Sequence, residues 1–100
     1  MAEKERFGLI GQLRAHPGKR DELIACLQEG SREVPGKLAY LIALERDDPD
    51  AFWITEIWRE KADYEACLAM PQVQKAAARM QELLAGAGPR IETTPIGPLP

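Results

Sequence analysis

Residues Phe7–Ala15 alternate with a period of two. Phe7, Leu9, Gly11 and Leu13 fall on one face and Gly8, Ile10, Gln12 and Arg14 on the other, the pattern of a strand. His16-Pro17-Gly18 ends it, because proline cannot continue a ladder and glycine accepts turn dihedrals. From Lys19 and Arg20 the period lengthens. Leu23, Ile24, Leu27 and Val34 recur at helical spacing with Cys26 at the edge of the stripe, while Asp21, Glu22, Gln28, Glu29 and Arg32 lie mostly elsewhere. A helix is therefore expected as far as the stop at Pro35-Gly36.

Residues 37 to 45 alternate Leu38, Tyr40, Ile42 and Leu44 with Ala39, Leu41 and Ala43, so both faces of this second strand are apolar. Residues 51 to 59 place Phe52, Ile54, Glu56 and Trp58 on one face and Trp53, Thr55 and Ile57 on the other. The aspartates and proline of residues 46 to 50 suit a turn between them, which predicts an antiparallel hairpin. From Lys61 the period is helical again. Tyr64, Cys67 and Leu68 precede Pro71, which is expected to kink or split the helix, and Val73, Ala76, Ala77, Met80, Leu83 and Leu84 continue the apolar stripe beyond it. Gly86 to Pro89 are expected to close that helix, and residues 90 to 94 to form a fourth strand.

The order β-α-β-β-α-β predicts an α+β domain of ferredoxin-like topology, a four-stranded antiparallel sheet with helices on one face. With one face covered, the doubly apolar second strand and the aromatic third strand leave an apolar patch on the other. A second copy packed sheet to sheet is the simplest cover, so a homodimer is expected; the alternative is a sheet carrying scattered exposed apolar side chains.

Composition narrows the function classes. The 100 residues are 45% hydrophobic and 29% charged, which fits one folded domain with a core over residues 7 to 96 and flexible termini at 1 to 6 and 97 to 100. The net charge of −3 is interspersed, with no basic stripe for phosphates, so nucleic acid is not an expected partner. There is no run of about 18 apolar residues to span a membrane, and the charged residues 1 to 6 do not lead into a signal-peptide core; a cytoplasmic protein is expected. The two cysteines, Cys26 and Cys67, both lie in helical segments and are expected to be free thiols. With His16 the one histidine, no metal site is expected.

Strand one running into Pro17-Gly18, the Pro35-Gly36 turn, the Tyr40 strand, the run Trp53-Ile54-Thr55-Glu56-Ile57-Trp58 and the helix opening Ala62-Asp63-Tyr64-Glu65 together resemble the antibiotic biosynthesis monooxygenase family, from about residue 7 to residue 96. The resemblance implies a dimeric α+β barrel in which each subunit's sheet closes on the other's and C-terminal residues reach toward the partner. It also implies a small monooxygenase that oxidises a quinol or phenolic substrate with dioxygen and without cofactor, metal or flavin, the deprotonated substrate itself reducing oxygen in a dry pocket. Two departures accompany it. Relatives often carry a helix-two histidine in an Ala-His-Leu segment that here reads Ala66-Cys67-Leu68, and a serine before the proline where Met70 stands. Haem-degrading relatives carry asparagine, tryptophan and histidine at positions that are approximately Gly11, Cys67 and Ala77 here, so haem degradation is not expected.

Glu56 shares a strand face with Phe52, Ile54 and Trp58, where loss of water raises a carboxyl pKa toward that of a useful base; a structural hydrogen-bonded glutamate or one at a dimer seam is the other reading. Trp58 is expected to line an aromatic-binding pocket with Tyr64, Cys67 and Leu68, and Trp53 could do so too, although a strand tryptophan more often serves core or interface packing. Gly8 and Gly11 leave volume under the helices or mark a bulge. Two other classes stay open: a dimeric small-molecule-binding module that has lost the chemistry, and an isomerase or decarboxylase needing proton transfer alone.

Overall fold

The computed structural model describes residues 5–97, so that residues 1–4 and 98–100 of the expected flexible termini lie outside the described residues. The elements run β1 (Phe7–Ala15), α1 (Arg20–Gly30), β2 (Lys37–Leu44), β3 (Ala51–Trp58), α2 (Lys61–Cys67), α3 (Pro71–Leu83) and β4 (Leu84–Thr93). The strands form one antiparallel sheet in the order β2-β3-β1-β4, the ferredoxin-like α+β arrangement that the pattern predicts.

The register makes one face of the sheet continuous. Phe7, Leu9, Gly11 and Leu13 of β1 stand opposite Trp58, Glu56, Ile54 and Phe52 of β3, which in turn stand beside Lys37, Tyr40, Ile42 and Leu44 of β2. This face packs under the helices in two clusters. Phe7, Leu9, Val34, Trp58 and Cys67 form one; Ala15, Leu23, Phe52, Ile54 and Leu83 form the other. On the opposite face Ile10, Trp53, Thr55 and Ile57 are half-buried and Leu41 and Ile91 are 62% and 54% exposed, a wide apolar surface that no helix covers.

Three local expectations are corrected. α1 ends at Gly30 rather than continuing to Val34. The Gln72 amide of α3 donates to the Gly30 carbonyl at 3.3 Å and the Arg32 carbonyl at 2.5 Å, and Glu33 turns left-handed at φ 52°, so tertiary bonds replace the helical ones. Pro71 splits the second helix in two, as its position predicts, standing in the first turn of α3 where its missing N–H costs nothing. Gly86 to Pro89 belong to β4 instead of closing the helix. β4 is an edge strand, and between the pairs Gly11–Arg90 and Leu13–Ala87 its Gly88 and Pro89 oppose Gln12 alone, a bulge that absorbs a residue without an N–H.

The third correction shapes the site. Lys37 pairs with Trp58 and Ala39 with Ile57, so Leu38 is an extra residue in β2. Strict alternation puts Leu38 on the Tyr40 face; the bulge turns it out to 46% exposure and sets Lys37 there in its place. The bulge follows from the tight turn before it, in which Gly36 takes φ 82° and its carbonyl accepts the Arg59 N–H at 2.8 Å, anchoring β2 to the end of β3.

Phe52 is fully buried, and truncating it leaves a cavity that this close-packed core cannot refill. Phe52→Ala is expected to cost about 3 to 5 kcal/mol, read as a fall in the urea midpoint at unchanged slope.

Candidate functional site

Between the sheet and the helices lie two adjoining cavities of about 240 and 210 Å³, which share Leu27, Tyr40, Glu56, Tyr64 and Met80 in their walls. One extends toward Val34, Lys37, Trp58 and Cys67; the other toward Gly11, Gly88 and Arg90 on the β1–β4 side. Their lining draws on both core clusters, so the space sits where the two fail to meet.

Glu56 stands at the junction. Strand periodicity points it to the helix face between Leu9 and Tyr40, and the Trp58 indole N–H, two residues along the same face, donates to its Oε1 at 3.0 Å. Burial raises the carboxyl pKa above its ordinary value; the Trp58 hydrogen bond and the charges of Lys37 and Arg90 oppose that rise without cancelling it. A partly desolvated carboxylate that keeps one hydrogen bond and has a free oxygen facing a cavity is suited to accept a proton.

The surrounding groups have distinct conditions. The Lys37 ammonium lies 4.5 Å from the Tyr40 ring centroid and 5.4 Å from that of Trp58, and donates to the Ser31 carbonyl at 3.0 Å. Burial lowers its pKa, and Glu56 and Cys67 counter the effect. Burial, with Glu56 nearby, lifts the Tyr40 phenol far above its normal range, so it stays protonated. Tyr64 from α2 meets Trp58 edge-on at 5.8 Å and Phe7 at 5.4 Å, and its hydroxyl accepts from the Arg90 guanidinium at 3.0 Å.

Of the residues singled out in the sequence, Glu56, Trp58, Tyr64, Cys67 and Leu68 all line the first cavity, with Leu68 half exposed at the end of α2. Cys67 is buried, and desolvation together with Glu56 pushes its thiol pKa up, which leaves it a neutral wall rather than a nucleophile. Trp53 is not part of the site: it lies on the outer face, donating to the Glu45 carboxylate at 2.9 Å. Gly8 also serves the outer face, close against Thr93 and Pro95, whereas Gly11 borders the second cavity. His16 sits in the exposed β1–α1 turn and lines neither cavity, and among the described residues no three His, Cys, Asp or Glu side chains converge on a metal site. Lys37, Tyr40 and Arg90 were not legible as site residues. Tyr40 shares the strand face of a deduced core stripe, but Lys37 needs the bulge and Arg90 the edge-strand register.

Sheet order, helix placement and the largely apolar cavities beneath the helices define a ferredoxin-like α+β domain built around a small-molecule-sized space. The sequence profile of the family described as antibiotic biosynthesis monooxygenase matches residues 6–79, and the chain belongs to that family. Among solved structures it is similar to a candidate antibiotic biosynthesis monooxygenase from Chloroflexus aurantiacus J-10-fl, at 46% identity and a TM-score of 0.90 over 93% of this chain and 95% of that one. A second, from Bacteroides thetaiotaomicron VPI-5482, shares the fold at 23% identity and a TM-score of 0.81 over 94% and 92% of the two chains. A curated relative, the uncharacterized protein sll1783 of Synechocystis, is 28% identical over 80 residues, 77% of this chain; the chain spans 54% of that protein's length. No helix among the described residues is long and apolar enough to cross a membrane.

The raised Glu56 pKa has a consequence for stability. In the window from the unfolded carboxyl value near 4.5 up to the higher folded value, the native state binds more protons than the unfolded one, so stability falls as pH rises through it. Glu56→Gln keeps an acceptor for Trp58 and removes the buried charge. Urea unfolding is expected to show the variant gaining stability relative to wild type at pH 7 and losing that advantage at pH 4.

Proposed function

We propose that the cavity binds a small phenolic or quinol-type aromatic molecule and that Glu56 takes its phenolic proton, so that the electron-rich anion reduces dioxygen without a cofactor. The electron pair released on deprotonation forms a bond from dioxygen to a ring carbon that carries a hydrogen, and the proton held by Glu56 passes to the peroxide to give a hydroperoxide. Loss of water from this intermediate leaves a carbonyl, so one oxygen atom enters the product and the other departs as water. The supporting observation is the Glu56 carboxylate held by the Trp58 N–H at the junction of two largely apolar cavities. Membership of the family and the likeness to the Chloroflexus protein support the oxidative reading. Trp58, Tyr64, Cys67 and Leu68 supply the aromatic and apolar walls on which a ring packs.

The working unit in this proposal is a homodimer closed through the outer sheet face, where Leu41 and Ile91 present apolar surface. The free thiols Cys26 and Cys67 support a reducing, cytoplasmic setting.

In an oxygen electrode with a panel of hydroquinones and anthrone-type phenols, wild type is expected to consume oxygen with at least one substrate and Glu56→Gln to lose about a hundredfold or more of that rate. Unchanged uptake in the variant removes Glu56 from the mechanism. Binding without uptake on every substrate replaces the monooxygenase with a binding module. Light scattering at micromolar concentration is expected to give the mass of two chains; the mass of one overturns the dimer.

A further inference from the structure

Two cations flank one carboxylate in this site, and they flank it from different cavities. Lys37 lines the cavity that reaches Trp58 and Cys67, Arg90 lines the one that reaches Gly11, and Glu56 belongs to both. Each cavity is below the roughly 300 Å³ at which pockets for drug-sized molecules begin, so a single aromatic ring placed at the junction beside Glu56 directs its substituents into one or both. Lys37 is there by a backbone device. The β2 bulge replaces Leu38, a residue that suits an apolar wall, with an ammonium group held over the faces of Tyr40 and Trp58. Among the described residues its hydrogen-bond acceptor is the Ser31 carbonyl, which uses one of the three ammonium protons and leaves two for a ligand.

The charges indicate what that ligand carries. Glu56 offsets the charge of Lys37, the Glu92 carboxylate lies 3.8 Å from the Arg90 guanidinium, and Tyr40 and Cys67 are held neutral. What Lys37 lacks, among the described residues, is a carboxylate within ion-pair distance, so its two remaining ammonium protons are open to an anionic group on the ligand. A phenol that also carries a ring carboxylate supplies that group as a charge-assisted partner, which the neutral hydroxyls of a hydroquinone do not.

Building on the proposed function, we infer that Lys37 is a specificity-determining residue that selects hydroxylated aromatic carboxylates over neutral hydroquinones by pairing its ammonium group with the carboxylate. Lys37 binds the permanently charged end and takes no part in the proton transfer, which belongs to Glu56. Arg90, more exposed and tied to the Tyr64 hydroxyl and the Glu92 carboxylate, supports the far side.

The test compares binding of 2,5-dihydroxybenzoate with that of hydroquinone, by calorimetry or Trp58 quenching, under anaerobic conditions in wild type, Lys37→Met, Lys37→Arg and Arg90→Met. Wild type is expected to favour the carboxylate about tenfold or more. Lys37→Met is expected to bring the ratio near one, Lys37→Arg to restore most of it, and Arg90→Met to retain most of it. Melting curves establish that each variant is folded; if Lys37→Met is not, Lys37→Gln takes its place. Equal affinities in wild type, no binding of either compound, a preference that survives loss of the Lys37 charge, or one that follows Arg90 instead overturns the assignment. Because this readout needs no turnover, a charge preference without oxygen uptake overturns the monooxygenase and leaves Lys37 in place, whereas uptake without the preference does the reverse.

Discussion

A strand has a period of two, and on β3 that constraint ties the core to the chemistry. Phe52, Ile54 and Trp58 cannot turn beneath the helices without taking Glu56 with them. A one-residue slip would expose Phe52 and Trp58, the two largest fully buried side chains, so burial of Glu56 is enforced by the free energy of packing its neighbours. The carboxylate is thus kept partly out of water by neighbours that are buried for packing. The Trp58 indole, itself buried for packing, supplies the hydrogen bond that makes the arrangement tolerable.

Around that strand the sheet needs irregularities to make a site rather than a filled core. A regular β2 would continue Leu38 and Tyr40 as an apolar wall; the bulge at Leu38 gives a lysine to the cavity instead. A regular β4 would pair residue for residue along β1; the bulge at Gly88 and Pro89 re-registers it, with Arg90 opposite Gly11 beside the second cavity. Both bulges lie in the two edge strands of the sheet, where a broken ladder bond meets solvent and costs least. Cys67, a neutral, buried thiol, adds a wall to the cavity whose junction holds the Glu56 carboxylate.

The apolar pattern was enough to place β1 and β3 and to bring Glu56, Trp58, Tyr64, Cys67 and Leu68 to one cavity, because period-two and period-3.6 spacing report directly on which side of an element faces inward. It also put Trp53 on the opposite strand face from Glu56, where it hydrogen-bonds Glu45. Where it failed, the competing influence was nonlocal. Val34 carries helical spacing, but Gln72, 38 positions later, takes the carbonyls that would have continued α1. Gly86 to Pro89 read as a helix stop, yet β1 offers their edge a partner.

The sequence by itself determined the order of elements, the α+β class, the inward face of β3 and therefore the position of the carboxylate, since each follows from the spacing of neighbouring side chains along the chain. Only the tertiary structure decided that Lys37 and Arg90 join it. Their placement depends on register shifts against other strands, and a register shift is a relation between distant segments that local periodicity does not encode.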